Sequence, residues 1–321
     1  MARKAVRRVL RVGVFGTGAL GRHHTRILGT LPGVERVGIH DSRPEVARAV
    51  AEEFGARVFD SFEELAESVD AAVVAAPTTV HAELGVDLLG RGVHVMVEKP
   101  IAASLEEADA LIAAARQASR VLAVGHVEFH NPAVEALLAA GGSPRFVEVE
   151  RLGVFTPRSL DVDVIADLMI HDLQILGALD RSGIKEVRAV GIPVLSERID
   201  IVNARLAFAS GLVANVTASR VSGERVRKLR AFYADRYRSL DYQTQEIKGY
   251  RLERAGTDRK ILPESIPVEK AEPLRRELEG FVAACRGEPA RFVSGTEARI
   301  ALATALEVAR HAGSGNSPAM C

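Results

Sequence analysis

A glycine-rich turn near the amino terminus constrains the fold of this chain more than any other stretch. Residues 9–21 read V-L-R-V-G-V-F-G-T-G-A-L-G, an apolar strand pattern that runs directly into G-x-G-x-x-G. Gly16 allows a tight turn, Gly18 lets the backbone approach a pyrophosphate, and Gly21 lets the following helix pack against the strand. The helix N-terminus favours the negative charge of a phosphate. The turn predicts dinucleotide binding, although without its context it would indicate only a strand-to-helix connection.

The sequence after the turn supplies that context. A β-rich segment, 36–40, is followed by Asp41, twenty residues after Gly21, where a carboxylate accepts hydrogen bonds from an adenosine ribose. The same carboxylate would repel a 2′-phosphate, so the sequence predicts NAD in preference to NADP, with Arg43 as the feature that would favour NADP. The predicted cofactor contacts of this region are Gly16, Gly18, Ala19, Leu20, Gly21, Asp41, Ser42 and Arg43.

Length and composition limit the class of protein. The 321 residues suggest about two domains. Lys plus Arg and Asp plus Glu both number 42, so the charge balance gives no reason to expect a nucleic-acid or membrane partner. No stretch offers the roughly 20 apolar residues that a bilayer requires, and the basic leader lacks the features of a signal peptide, which predicts a cytoplasmic protein. Two cysteines are too few for a disulfide framework or a thiolate metal site, and we predict no metal.

The first half alternates between strand-like and helical patterns. Strand-like runs lie near Val12, Val37, Val58, Ala72, Val93 and Val121, and helical patterns lie near Gly21, Glu45, Ala82 and Leu105. Such alternation indicates βαβ units, and nearly continuous apolar runs at 71–76 and 93–97 are typical of strands covered on both faces. The sequence therefore predicts an α/β domain over residues 1–127, a Rossmann-type doubly wound parallel sheet. Ligands of such sheets bind at the carboxyl ends of the strands.

Two segments directly follow strands at that edge. Pro77, Thr78 and His81 come after the fourth strand-like run, and Glu98-Lys99-Pro100 comes after the fifth. Pro77 would rigidify the backbone beside the nicotinamide, and a lysine before a proline would be held extended toward the ligand. We predict cofactor contacts from both segments, including Glu98 and Lys99. His81 could equally be a solvated or capping residue of the next helix.

The second half, residues 128–312, has a different pattern. Strand-like runs follow one another at 145–151, 186–194, 203–208, 213–219, 229–233 and 239–242. The turn Ser210-Gly211 between two of them predicts a hairpin. We expect an α+β domain with a largely antiparallel open sheet, helices on one face, and an interface for a homo-oligomer, a dimer or tetramer, on the other. Helical patterns return at 272–286 and 296–311, and residues 313–321 are predicted to be a disordered tail.

The glycine loop, the segment from Pro77 to His81, and Glu98-Lys99-Pro100, in this order and spacing, resemble the Gfo/Idh/MocA family of NAD(P)-dependent sugar and cyclitol dehydrogenases. The resemblance covers nearly the whole chain, and Glu-Lys-Pro is its specific element. It implies an enzyme that oxidises a CH–OH group by hydride transfer. A non-catalytic NAD(P)-sensing regulatory protein is the rival, and it would be expected to lack Lys99 or His171. Both residues are present.

A helical pattern over residues 164–174 carries the candidate proton-transfer pair. Asp167 and His171 are four residues apart and would share one helix face. An imidazole near its working pKa suits the hydroxyl proton of an alcohol, and a carboxylate would orient the ring. An ordinary surface pair is the alternative, which the apolar residues between them weaken. The resemblance implies that Lys99, Asp167 and His171 form the catalytic group. Many family members carry Asp three residues after the His, where this chain has Gln174.

A basic cluster follows one of the predicted strands. It contains Arg220, Arg225, Arg227, Lys228 and Arg230. Such a run is usually a solvated face, but guanidinium groups also suit phosphate oxygens. With segments 125–128, 131–132 and 161–164, this region resembles a bacterial subgroup that oxidises the sugar 3-hydroxyl of UDP-N-acetylglucosamine ahead of amination for lipid A. The predicted substrate contacts are Lys99, His126, Asn131, His171, Arg220 and Arg225. A free sugar or cyclitol substrate remains the alternative, and a nucleic acid is a third possibility for the cluster.

Overall fold

The computed structural model describes residues 9–156, 162–255 and 258–314, which form two compact units. The first unit contains residues 9–126 together with Leu274–Arg299. The second contains residues 127–273 and the chain from residue 300. In these described ranges, no helix combines the length and the apolarity needed to cross a bilayer.

The first unit is built on a five-stranded parallel sheet. Its strands are β1 (Leu10–Phe15), β2 (Val34–His40), β3 (Ala71–Val74), β4 (His94–Glu98) and β5 (Leu122–Gly125). Its helices are α1 (Ala19–Leu28), α2 (Pro44–Phe54), α3 (Phe62–Ser68), α4 (His81–Gly90) and α5 (Leu105–Ala118). The strand order β2-β1-β3-β4-β5 places the reversal of direction beside β1, as in a doubly wound sheet. This confirms the predicted fold class of the first half.

Two details of the first half differ from the sequence prediction. The strand expected near Val58 is only an isolated bridge between Val58 and Ile39. Helix α3 was not predicted, although its start carries an ordinary signal. The Ser61 hydroxyl caps it by accepting from the backbone N–H of Glu63 and Glu64. The helix is short, so its apolar period is weak.

The second unit contains an eight-stranded, largely antiparallel sheet. Its strands are β6 (Phe146–Leu152), β7 (Ile184–Ile192), β8 (Ile201–Phe208), β9 (Val213–Ser219), β10 (Val226–Phe232), β11 (Arg236–Asp241), β12 (Glu246–Ala255) and β13 (Asp258–Ser265). The order is β13-β12-β11-β10-β6-β9-β8-β7, with β6 and β9 parallel. The predicted antiparallel sheet and the hairpin at Ser210-Gly211 are confirmed. The hairpin β12–β13 was missed.

In the described part of the chain, four α-helices follow α5. They are α6 (Pro132–Ala139), α7 (Ile170–Leu179), α8 (Pro273–Cys285) and α9 (Gly295–Ser314). The apolar side chains of α8, among them Leu278 and Phe281, are buried in the core of the first unit beside Val12. The sequence predicts this helix as part of the second domain, residues 128–312. Sequence order alone does not show that the chain returns to the first unit after the second sheet. Helix α9 extends to Ser314, and the rest of the predicted tail lies outside the described residues.

Candidate active site

The glycine-rich turn has the geometry that its sequence predicts. Gly16 has φ +88°, and a Cβ there would lie 2.7 Å from the backbone of Ala75. A Cβ on Gly21 would overlap the carbonyl oxygen of Gly16, so α1 packs too closely for any side chain at this position. A Cβ on Gly18 would meet no described atom within 4 Å. The backbone at Gly18 therefore faces open space.

The amino-terminal end of α1 fits the pyrophosphate of a dinucleotide. Its N-cap residue is Gly18, which has no side chain to satisfy the first N–H groups. Ala19 and Leu20 are exposed, Leu20 by 44%. Uncapped N–H groups at the positive end of a helix are donors for phosphate oxygens. This end of the helix is therefore an anion-binding surface formed by the backbone.

Asp41 lies directly after β2 and is 8% exposed. Its Oδ2 accepts hydrogen bonds from the backbone N of Thr17 at 2.7 Å and from the Thr17 hydroxyl at 3.0 Å, and its Oδ1 accepts one from the Arg43 backbone at 3.0 Å. Burial acts to raise the pKa of Asp41, but these hydrogen bonds outweigh it and leave the pKa below its ordinary value. The carboxylate is therefore ionised, which suits a ribose hydroxyl. Ser42 and Arg43 are exposed beside it, with the Arg43 Nε 3.5 Å from Oδ1.

His81 joins two segments at the carboxyl edge of the parallel sheet. The ring is 1% exposed, with Nδ1 3.0 Å from the carbonyl oxygen of Pro100 and Nε2 2.9 Å from that of Ala76. The solvated alternative is therefore wrong. Both ring nitrogens contact the backbone, so the geometry favours a supporting role over the predicted direct contact with the cofactor. Pro77 is exposed and Thr78 is half-buried, at the start of the turn that precedes α4.

Glu98 is turned into the first unit. It is 6% exposed, its Oε1 lies 2.6 Å from Nε2 of His24, and its Oε2 accepts a hydrogen bond from the backbone N of Lys99 at 3.3 Å. A Cβ on Gly125 would lie 2.8 Å from Oε2, which explains a glycine at the end of β5. The geometry opposes the predicted cofactor contact of Glu98 and indicates that it positions Lys99. Lys99 is half-buried, and its peptide bond to Pro100 is cis.

A second buried acid, which the sequence analysis missed, lies near this group. Glu277 on α8 is 2% exposed, and neither carboxyl oxygen has a hydrogen-bond partner among the described residues. Burial, reinforced by the negative charge of Glu98, raises the pKa of Glu277 well above its ordinary value. Its surroundings therefore favour the neutral form of the carboxyl. Only the return of α8 to the first unit places this acid near β4.

The segment that carries the predicted Asp–His pair is not one continuous α-helix. Ile165–Met169 forms a π-helical turn, and α7 begins at the next residue. Asp167 lies in the π-turn and is half-buried, and His171 lies in the first turn of α7 and is 9% exposed. Four-residue spacing puts side chains on one face of an α-helix, but a π-turn rotates them differently. The contact between Asp167 and His171 therefore stays a prediction. π-turns are frequent at functional sites.

Arg220 is not placed to bind a phosphate. It is 8% exposed, its Nε lies 3.1 Å from Oδ1 of Asp200, and its Nη2 donates to the carbonyl oxygens of Val162 and Ile199. Asp200 is completely buried. The guanidinium thus compensates an internal carboxylate. This geometry opposes the predicted diphosphate role, because binding a ligand would require Arg220 to leave Asp200 without its counter-charge.

Asp200 should make the stability of the protein depend on pH. Burial acts to raise its pKa, but hydrogen bonds from the backbone of 194–196 and from the Ser196 hydroxyl hold the pKa at about 2, below the ordinary 3.8. A depressed carboxyl pKa adds stability that is complete above the unfolded-state value and is lost as pH falls through the folded-state value. We expect protonation of Asp200 to lower the free energy of unfolding by about 2 kcal/mol as the pH falls from about 5 to about 2.

Urea unfolding of the wild type and of Asp200→Asn over this pH range checks that expectation. The variant should be less stable near neutral pH and should lack this part of the acid sensitivity. Equal pH dependence in the two proteins would show that Asp200 does not supply it.

The three remaining predicted substrate contacts lie in different surroundings. Asn131 is 2% exposed: its Oδ1 caps α6 by accepting from the Ala133 backbone at 3.1 Å, and its Nδ2 donates to the carbonyl of Tyr242 at 2.9 Å. His126 is 1% exposed, directly after β5. Arg225 is exposed, directly before β10. Of the three, only Arg225 presents its side chain to solvent, and the geometry opposes a substrate contact by Asn131.

A buried ionic network in the second unit was also missed. Arg151 is 2% exposed and makes a bidentate pair with Asp172, with Nε–Oδ2 and Nη2–Oδ1 distances of 2.7 Å. Its Nη1 donates to Oε1 of Glu128 at 2.7 Å, and the Tyr242 hydroxyl donates to Asp172 at 3.2 Å. Burial acts to lower the pKa of Arg151, but the two carboxylates raise it well above its ordinary value. Asp172 directly follows His171, so the network anchors the start of α7.

The alternation along β6 contains a signal for this network. Val147, Val149 and Arg151 share the buried side of the strand. A charge at a core-facing strand position requires partners of opposite charge. The largely apolar helix α7 contains one such partner, Asp172. The two together indicate a buried pair, although neither identifies Glu128.

Comparison with known proteins extends these observations. Residues 10–126 match the model of the Gfo/Idh/MocA oxidoreductase family, which is described as having an NAD-binding Rossmann fold. The UDP-N-acetylglucosamine 3-dehydrogenase of Acidithiobacillus ferrooxidans is 39% identical over 93% of this chain and 96% of its own length. The chain belongs to the Gfo/Idh/MocA oxidoreductase family. The resemblance inferred from the glycine loop and from Glu98-Lys99-Pro100 is thereby confirmed.

A solved structure of that enzyme and one further relative show how far the similarity extends. A solved structure of the Acidithiobacillus ferrooxidans enzyme, 37% identical, superposes with a TM-score of 0.88 over 95% of this chain and 98% of that one. The glucose-6-phosphate 3-dehydrogenase of Bacillus subtilis is 36% identical over 30% of this chain and 28% of its own. As a member of the Gfo/Idh/MocA family, the chain is an oxidoreductase with an NAD-binding Rossmann domain.

Proposed function

We propose that this chain is an NAD-dependent dehydrogenase that oxidises the 3-hydroxyl of UDP-N-acetylglucosamine. The observation that carries the proposal is its 39% identity, over 93% of the chain, to a relative named for that activity. The extent of this similarity matters because the Rossmann unit is common to oxidoreductases of many substrates. The 3-keto sugar formed would be the substrate for an amination step, as in the supply of lipid A precursors.

Two hydrogens leave the alcohol in such an oxidation, one as a proton from oxygen and one as a hydride from carbon. NAD, when bound, supplies the acceptor for the hydride. In our proposal His171 accepts the hydroxyl proton, and Asp167 orients the imidazole and balances its positive charge. Lys99 donates a hydrogen bond to the same oxygen. The O–H electron pair becomes the second bond of the ketone, and His171 then releases its proton to solvent.

We propose that the residues at the carboxyl edge of the parallel sheet hold NAD. The left-handed backbone of Gly16, the uncapped end of α1 and the ionised carboxylate of Asp41 support this proposal. The pyrophosphate is assigned to the turn and the adenosine ribose to Asp41, with Pro77 and Thr78 beside the nicotinamide. His81 and Glu98 support this edge from within. The residues given direct contact are Gly16, Gly18, Ala19, Leu20, Gly21, Asp41, Ser42, Arg43, Pro77, Thr78 and Lys99.

The wild type is expected to bind NAD more tightly than NADP. The ionised Asp41 accepts ribose hydroxyls and repels a 2′-phosphate. In Asp41→Ala, NAD binding should weaken by about tenfold and the difference between the two cofactors should narrow. Fluorescence titration with NADH and NADPH measures both affinities.

Asp41→Asn serves as the matched variant, because it keeps the size of the side chain that Thr17 contacts while removing its charge. Arg43→Ala should reduce the affinity for NADP more than it reduces the affinity for NAD. Tighter binding of NADP than of NAD by the wild type would refute the assigned cofactor preference.

Substrate turnover distinguishes the proposed function from its alternatives. NADH formation should be followed with UDP-N-acetylglucosamine, free N-acetylglucosamine, glucose and inositol, with an aminotransferase added to remove the ketone. Turnover of free sugars without turnover of the nucleotide sugar would support a free sugar or cyclitol dehydrogenase. NAD binding without turnover of any of them would support a non-catalytic sensor. A salt-dependent DNA mobility shift would support nucleic-acid binding.

We further propose a homo-oligomer formed through the sheet of the second unit, and a cytoplasmic location, where NAD and nucleotide sugars occur. The side chains on the outer face of β7, β8 and β9 support the proposed homo-oligomer. Between β8 and β9, Asn203 donates a hydrogen bond to Thr217 and Arg205 donates one to Asn215. On β7, Val190 and Ile192 are about half exposed. Such a mixed face can bury against a second copy. Light scattering of the purified protein measures the oligomeric state.

A further inference from the structure

Arg227 lies beside the buried ionic network of the second unit. On β10 it is directly opposite Arg151 of β6, and it shares the inward side of its strand with Leu229 and Ala231. Like charges in directly opposite positions of two strands repel each other. The pair therefore requires carboxylates close by.

The two arginines divide those carboxylates unequally. Arg151 contacts both Asp172 and Glu128 at 2.7 Å. Arg227 contacts Oε1 of Glu128 at 3.4 Å, and that is the oxygen which Arg151 also uses. Burial lowers the pKa of Arg227, and the positive charges of Arg151 and Arg225 lower it further. Arg151 and Arg227 therefore share the carboxylates of Glu128 and Asp172, and Arg225 adds a further positive charge that acts on Arg227.

Arg227 also differs from Arg151 in exposure. The side chain of Arg151 is 3% exposed and that of Arg227 is 36% exposed. Arg225 comes two residues earlier, directly before β10, and its positive charge is near enough to lower the pKa of Arg227. A partly desolvated guanidinium binds an anion more strongly than one fully in water, and two planar forks suit the oxygens of a diphosphate.

We propose that Arg227, assisted by Arg225, is the subsite for the diphosphate of the substrate, in place of the internally paired Arg220. This rests on the proposed function, since a free sugar would bring no such anion. Glu128 holds Arg227 in position in the absence of ligand. With a diphosphate bound, Arg227 gains the counter-charge that Glu128 supplies only in part, and Glu128 remains with Arg151.

UDP is the probe for this subsite, titrated by calorimetry into the protein saturated with NADH. In Arg227→Ala the dissociation constant for UDP should rise by about tenfold to a hundredfold. The dissociation constant of Arg227→Lys should lie between those of the wild type and of Arg227→Ala, because lysine keeps the charge and loses the bidentate fork. In steady-state assays with UDP-N-acetylglucosamine, the loss should appear mainly in KM, with a smaller change in kcat.

Arg230→Ala is the matched control. Arg230 lies three residues away on the same strand but on its opposite side, where it pairs with Glu148 and Glu150 at 3.4 and 3.1 Å. The Arg230→Ala variant should bind UDP as the wild type does. Arg227→Ala removes a charge that faces Arg151, so its melting temperature and NADH affinity should stay close to those of the wild type.

The failure of the subsite and the failure of the proposed function give different results. Wild-type binding of UDP with equal binding by Arg227→Ala overturns the subsite, and the nucleotide-sugar substrate then stands. A wild type that neither binds UDP nor oxidises UDP-N-acetylglucosamine overturns the proposed function and the subsite with it. A parallel loss of UDP affinity, NADH affinity and melting temperature in Arg227→Ala also counts against the subsite, because it marks a structural role.

Discussion

Replacement of His171 by alanine is expected to slow hydride transfer from UDP-N-acetylglucosamine by about a hundredfold to ten-thousandfold. In the proposed mechanism, the hydroxyl proton must be accepted as the hydride leaves, and water is a poorer and less well placed acceptor. His171 is 9% exposed at the start of α7, so the variant also leaves a small polar cavity. Single-turnover formation of NADH measures the step directly, without the contribution of product release.

His311→Ala is the control for this variant. His311 lies on α9, is half-buried, and belongs to the same unit. Its replacement should leave hydride transfer unchanged. Added imidazole should partly restore the rate of His171→Ala, because it supplies the missing proton acceptor. A His171→Ala variant that transfers hydride at the wild-type rate would rule out the proton-transfer role.

The parts of the fold that the sequence predicts are those with local signals. The turn at Gly16 and Gly21 is specified by positions that no side chain can occupy, and the apolar runs of β3 and β4 are typical of buried parallel strands. The hairpin of β12 (Glu246–Ala255) and β13 (Asp258–Ser265) was missed because both strands are rich in charge. β13 is an edge strand, and charge on such a strand resists pairing with other chains. The same composition hides both strands from a hydrophobic pattern.

The candidate site was predicted less completely than the fold, because residue type does not show whether a side chain points toward a ligand or into the protein. Arg220 and Asn131 have side chains suited to a ligand, yet each is buried and bonded within the protein. Asp41 was easier to predict, since its place after β2 follows from the fold itself. The partners of Arg151 come from distant parts of the chain, and their distances are set by tertiary packing, which the alternation of β6 alone does not encode.

Breaking the buried network at its centre is expected to have the largest effect on stability. In Arg151→Met, Asp172 and Glu128 lose their shared counter-charge while they remain buried, at 0% and 9% exposure. Removing one partner of a buried ion pair typically costs about 3–5 kcal/mol, because the remaining charge is uncompensated. Arg230→Met, which breaks a surface pair on the neighbouring β10, should cost less than about 1 kcal/mol. Urea unfolding of the two variants and the wild type gives the comparison.

The same network allows a test that separates lost charge from lost packing. If the cost of Arg151→Met comes from uncompensated charge, neutral partners should recover part of it, so the triple variant Arg151→Met, Asp172→Asn, Glu128→Gln should be more stable than Arg151→Met alone. A triple variant that is less stable than the single one would show that hydrogen bonding by Asp172 and Glu128 matters more than their charge. Asp172 adjoins His171, so a disturbed network should also displace the imidazole. Single-turnover hydride transfer should therefore be slower in Arg151→Met than in the triple variant.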